Sequence, residues 1–130
     1  MNLIWNRGSH ISEEVLAVVE KCYNIILPDD YKRIVMENNN GRPSLNTFDT
    51  KVSKGHVFKK LLSFKTDDIE TVYTSKRVVE NVDPKLFPIA NDPFGNLICL
   101  KEGRIVYWLH EDDSIEPIAD SFTDFLLSLY

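Results

Sequence analysis

Between Leu86 and Leu129, short apolar runs alternate with turn-forming residues so strictly that the segment divides itself into parts. Leu86-Phe87-Pro88-Ile89-Ala90 is an apolar run, and Asn91-Asp92-Pro93-Phe94-Gly95-Asn96 after it is turn chemistry. Asp and Asn side chains bond back to their own backbone, proline fixes φ, and glycine permits φ > 0. Leu97-Ile98-Cys99-Leu100 and Ile105-Val106-Tyr107-Trp108-Leu109 flank Lys101-Glu102-Gly103-Arg104, which is the pattern of a tight hairpin. A third run, Ile115 to Ala119, leads to Ser121, a helix cap followed by a stripe of Phe122, Phe125, Leu126 and Leu129. A turn at Glu102-Gly103 sets Lys101 opposite Arg104, Cys99 opposite Val106 and Leu97 opposite Trp108. Tyr107 and Trp108 then face opposite sides of their strand. A sheet covered on one face only would leave one of the two exposed or at an interface.

The N-terminal half reads as helices first. Ser12 is an N-cap with Glu13 and Glu14 in the first turn, where the helix dipole favours anions, and Val15, Val18, Val19 and Cys22 follow at helical spacing. Pro28 opens a second helix whose stripe is Tyr31, Ile34 and Val35, and Gly41 or one of the three preceding asparagines ends it in the left-handed conformation. Leu45 to Thr50 reads as a short strand and Lys51–Gly55 as a mobile loop. Val57 to Phe64 suits strand and helix alike. Thr66 begins a third helix, with Asp67, Asp68 and Glu70 near its start and Lys76 and Arg77 near its end, and Pro84 closes the region.

At 130 residues, with an apolar fraction of 43% and 27% charged residues, the chain suits a single domain spanning residues 1–130. The apolar runs are too short to cross a membrane, and Met1 to Arg7 lacks the build of a signal peptide. Cys22 and Cys99 lie in apolar patterns without metal-ligand spacing, which predicts two buried thiols in a reducing cytoplasm. The net charge of −5 hides an asymmetry. After Arg104 there is no Lys or Arg, while Glu111, Asp112, Asp113, Glu116, Asp120 and Asp124 are acidic. The middle runs the other way, with Lys51, Lys54, Lys59, Lys60, Lys65, Lys76, Arg77 and Lys85. Such patterning governs association and the sign of a partner more than the fold.

Catalytic chemistry is thin. His10, His56 and His110 are scattered and lack metal-ligand spacing. In the hairpin register His110 lies roughly 13 Å from Cys99, too far for a nucleophile and its base. No glycine-rich phosphate loop is present. Asp92 and the Asp112/Asp113 turn offer at most a weak case for a carboxylate pair of the glycosidase kind. Aromatic residues among the lysines of the middle match no nucleic-acid motif, and the chain is acidic, so nucleic acid is not expected.

Leu86-Phe87-Pro88-Ile89-Ala90, Asp92, Phe94-Gly95-Asn96, a strand ending Tyr107-Trp108-Leu109-His110, and Ser121-Phe122-x-x-Phe125-Leu126 resemble the C-terminal half of the SUKH superfamily. Glu20 in a helix, Leu27-Pro28-Asp29-Asp30-Tyr31-Lys32 and Asn38-Asn39-Asn40-Gly41 resemble its N-terminal pattern, so the likeness runs from about Ile11 to Leu129. That superfamily groups fungal regulators of cell-wall synthesis with bacterial immunity proteins that neutralise polymorphic toxins. The resemblance favours a strand near Leu61–Phe64. The expected fold is an α+β single domain, a mostly antiparallel twisted sheet with helices chiefly on one face. The expected function is that of a non-enzymatic immunity protein, an antitoxin that binds a cognate toxin, with a nuclease domain the expected partner. A regulatory adaptor is the alternative and a small hydrolase the outside reading. No metal, cofactor, nucleic acid or membrane partner is expected, and the state is monomer or weak dimer. Nuclease toxins need a basic cleft, which an acidic inhibitor is steered to and fills. The expected partner-binding residues are Asp92, Glu111, Asp112, Asp113, Glu116 and Trp108.

Overall fold

In the computed structural model, which describes residues 3–130, the chain runs β1 (Trp5–Asn6), α1 (Glu13–Tyr23), α2 (Asp29–Asn38), β2 (Arg42–Pro43), β3 (Thr47–Phe48), β4 (His56–Val57), β5 (Lys60–Leu61), α3 (Val72–Val79), β6 (Phe87–Asn91), β7 (Leu97–Lys101), β8 (Arg104–Leu109), β9 (Ser114–Ala119) and α4 (Phe122–Ser128). The turns of the C-terminal half build the main sheet, in the order β5-β6-β7-β8-β9 with every neighbouring pair antiparallel. The central hairpin adopts the expected register, with Lys101 opposite Arg104, Cys99 opposite Val106 and Leu97 opposite Trp108. Glu102 and Gly103 both take positive φ, 52° and 82°, the twist that matches a two-residue hairpin to its strands. Two small antiparallel pairs, β1–β2 and β3–β4, lie outside this sheet.

Alternation along the strands sorts residues onto two faces. Ala90, Ile98, Tyr107 and Glu116 lie in register on one face, and Asn91, Leu97, Trp108 and Ile115 on the other. The first face meets α4: Phe48 packs edge-on against both Tyr107 and Phe125, and Phe58 stacks on Phe125. Helix α2 joins this layer through Tyr31 on Phe122, and Asp30 accepts hydrogen bonds from the Thr123 N–H and hydroxyl. The second face is covered on its β6 side by α3 and the segment before it. There the Asn91 Nδ2 donates to Glu70, and the Lys76 ammonium donates to the Pro84 and Leu86 carbonyls. The result is one compact α+β domain with a single apolar core. Tyr107 and Trp108 are both buried, at 2% and 4% exposed: Phe48 packs on the Tyr107 ring, and the Trp108 indole N–H is held by Asp113 of the following turn. The expectation that one of them reaches solvent is corrected.

Local chemistry explains the element ends. Ser12, Thr71 and Ser121 each accept a backbone N–H as N-caps. Asn40 takes φ 67° just after α2, as the asparagine run predicts. Three expectations are corrected here. The inward residues of α1 are Leu16 and Val19, while Val18 and Cys22 are exposed, so only Cys99 is a buried thiol. The third helix starts after Thr71 rather than Thr66. Its β-branched residues weaken propensity, Asp68 instead accepts from the Ser63 hydroxyl, and residues 66–70 form turns. The Lys51–Gly55 segment is held rather than loose: Ser53 and Thr50 donate to Glu116.

Candidate functional site

Two turns meet at one end of the sheet. Residues 92–96 join β6 to β7, residues 110–113 join β8 to β9, and the His110 N–H donates to Asn96 Oδ1 at 3.0 Å. Gly95, at φ 91°, lies so near the His110 ring that an added Cβ would stand 3.3 Å from it. Asp92 organises the first turn from within. Its Oδ1 accepts from the Phe94 and Asn96 N–H groups, both at 2.8 Å, and its Oδ2 accepts from the Asn96 amide and the Tyr107 hydroxyl. Burial, and then the bond to Asp92, pushes the Tyr107 phenol well above its ordinary pKa, so it stays a neutral donor.

Asp92 is therefore 4% exposed with its carboxylate fully used. It shapes the turn and offers nothing to a partner. Trp108 is likewise interior, and its indole N–H donates to Asp113 Oδ1 at 3.1 Å. Glu116 is half-buried and committed to the Thr50 and Ser53 hydroxyls at 2.6 Å each. Those bonds, that from Ser53 foremost, hold its carboxyl below the usual range. Asp112 is exposed and accepts from the Ser114 hydroxyl and N–H, which lowers its pKa in turn. Glu111 is exposed and makes no hydrogen bond or ion pair among the described residues. Of the six expected residues, Glu111, Asp112 and Asp113 cluster at the surface, whereas Asp92, Trp108 and Glu116 serve the fold.

Phe94, which reads in the sequence as turn filling, is 70% exposed in the Asp92 turn. Next to that turn, a cavity of about 300 Å³ opens between α3 and the sheet, lined by Ile69, Glu70, Val78, Pro93 and Asn96 among others. Ile69 and Val78 are 93% and 58% exposed. The available signal was that an Asp-Pro-Phe-Gly turn has no inward position for its third residue.

One constellation resembles catalytic machinery. Ser53 Oγ lies 2.7 Å from His56 Nε2 and 2.6 Å from Glu116 Oε1. A serine hydroxyl has one proton to give, and here Glu116 receives it, so the bond to His56 requires the proton on Nε2. His56 is then no base toward Ser53, and the carboxylate holds the serine rather than orienting the imidazole. The His56 ring packs on Phe48 and Tyr107. The cluster fastens a loop to β9. Asp92 and the Asp112/Asp113 turn make no acid–base pair either, since Asp92 is enclosed. Among the described residues no group of three or more His, Cys, Asp or Glu could hold a metal ion, and no helix is long and apolar enough to cross a membrane.

A family model described as the SMI1 / KNR4 family (SUKH-1) matches residues 10–128. No curated protein matches the chain.

Proposed function

Because the chain belongs to the SMI1 / KNR4 family (SUKH-1), whose members are generally non-catalytic proteins with immunity or regulatory roles in protein interaction, we propose that it is an immunity protein that neutralises a cognate toxin, a basic nuclease domain. It acts in the cytoplasm by occupying the toxin's cleft, without catalysis and without a metal or cofactor of its own. The observation that carries this reading is the exposed acidic turn Glu111–Asp113, in a C-terminal segment that has no Lys or Arg after Arg104. Clustered carboxylates at one end of a rigid sheet attract a phosphate-binding cleft during diffusional encounter and reject acidic partners.

The test uses the protein encoded beside this chain, where this reading places the toxin. Asp112 and Asp113 each hold part of their own turn, so Glu111 is the position where charge changes without loss of a bond. Glu111→Lys should slow association and flatten its dependence on salt, because exposed charges act over about 8–10 Å at physiological ionic strength. The melting temperature should not move, since an unpaired surface carboxylate contributes little to folding. A neighbouring toxin that does not bind, or an unchanged association rate across a salt series, would remove this reading.

A further inference from the structure

The Asp92–Asn96 turn, which exposes Phe94, is tied to the acidic turn by the His110 N–H bond to Asn96 Oδ1, and that pairing defines what it can hold. Phe94, Ile69 and Val78 are too exposed to serve the core. The backbone that presents Phe94 is fixed: its N–H is held by Asp92, and Asp92 is anchored to buried Tyr107. An aromatic side chain on a fixed backbone has only two rotatable bonds to restrict on binding, which is why such residues become interface anchors. Neither the 92–96 turn nor the 110–113 turn contains a Lys or Arg. Lys59, which lines the neighbouring cavity, is paired to Glu70 at 2.9 Å. The face of an aromatic ring attracts cations, and here the turn that carries the ring is bonded through Asn96 to His110, next to Glu111–Asp113.

We propose that Phe94 anchors the partner interface by taking an arginine side chain of a basic protein across its ring, with the Glu111–Asp113 carboxylates beside it. A planar, weakly hydrated guanidinium fits a ring face and a carboxylate rim together, which an ammonium or an alkyl group does not. The inference deepens the proposed function and rests on it only for the identity of the partner.

The experiment needs no toxin. N-acetyl-arginine N-methylamide is titrated into the whole protein by NMR, with the leucine analogue as control. The arginine compound should shift the Phe94 ring protons and the Gly95 and His110 amides saturably, and the leucine compound should not. Phe94→Leu, which keeps apolar area without a ring, should weaken that binding roughly two- to fivefold, and Glu111→Gln should weaken it as well. Equal shifts from both compounds, no shift of the ring, or an unaffected Phe94→Leu variant would overturn the proposal. If the arginine probe binds while the neighbouring toxin does not, the surface stands and the immunity reading falls. If the toxin binds while the probe leaves Phe94 unmoved, the reverse holds.

Discussion

Replacing Asp92 tests whether one interior carboxylate holds the sheet end together. Its four hydrogen bonds are unequal. The Phe94 and Asn96 N–H groups lie in a turn with exposed neighbours, and water can reach them once the carboxylate is gone. The Tyr107 hydroxyl belongs to a residue 2% exposed and finds no water. A hydrogen bond to a charged group contributes about 1.5–3 kcal/mol, and a stranded buried donor costs about 1–3 kcal/mol. Asp92→Ala should therefore lose about 3–4 kcal/mol, a large share of a domain's roughly 5–15 kcal/mol. Asp92→Asn keeps an acceptor for the two N–H groups and should lose about half as much. Tyr107→Phe should cost about 1–2 kcal/mol, because Asp92 keeps three donors. Since the pair shares a bond, the double variant should lose less than the sum by about 1 kcal/mol. Urea unfolding monitored by the fluorescence of Trp5 and Trp108 gives each midpoint. An Asp92→Ala variant within about 0.5 kcal/mol of the parent, or strictly additive losses, would refute the argument.

Glu116 predicts an acid-dependent loss. Its folded pKa is lowered by the Ser53 and Thr50 bonds, so its stabilisation is complete above the ordinary glutamate range and drains away as pH falls through the lowered value. Glu116→Gln should lose about 1 kcal/mol at neutral pH and show a shallower fall in stability below pH ~4.5, measured as melting temperature against pH; parallel curves would sink the idea. Tyr31 is fully buried and its hydroxyl has no partner among the described residues, so Tyr31→Phe should gain about 1 kcal/mol, or roughly 4 °C in melting temperature, whereas a loss would mean the hydroxyl is satisfied. Cys22 is exposed and Cys99 is buried, with its thiol pKa pushed up by that burial. A thiol reagent should therefore label one cysteine in the native protein and the second only on unfolding, and two fast equivalents would contradict the fold.

The sheet was legible because period-two patterning and turn residues are local signals. Glu102-Gly103 set the hairpin register correctly, and Ser121 marked α4 with its four inward residues. The third helix was misplaced at its start, because acidic residues at 67, 68 and 70 mimic a first turn while the real cap is Thr71. Sheet burial was misjudged for a different reason: periodicity says that Tyr107 and Trp108 face opposite ways, but which of them is covered depends on segments distant or folded back in the chain, Phe48 over Tyr107 and the Asp113 turn at Trp108. The surface had the same difficulty. Glu111–Asp113 could be read from the charge pattern, while the enclosure of Asp92, the commitment of Glu116 to Thr50 and Ser53, and the exposure of Phe94 are products of tertiary packing. Asn39 belongs with them, since this fully buried residue bonds Ser63 and the Phe64 N–H from within a polar run that looks like surface.

The two borders of the main sheet have a consequence for how the molecule behaves in a crowded solution. An open strand edge is a template for another chain, and it recruits copies into aggregates as readily as it recruits a partner. Here β5 spans only Lys60–Leu61. At the opposite border β9 carries Pro117, which has no N–H to offer, and its carbonyl is occupied by the Lys51 N–H at 2.8 Å. The loop pinned by Glu116 is thus also a guard rail along that border. Adding a strand is hindered at both borders, by the shortness of β5 and by Pro117 with its occupied carbonyl, which favours docking through side chains at the ends and faces of the sheet and works against copies zipping together.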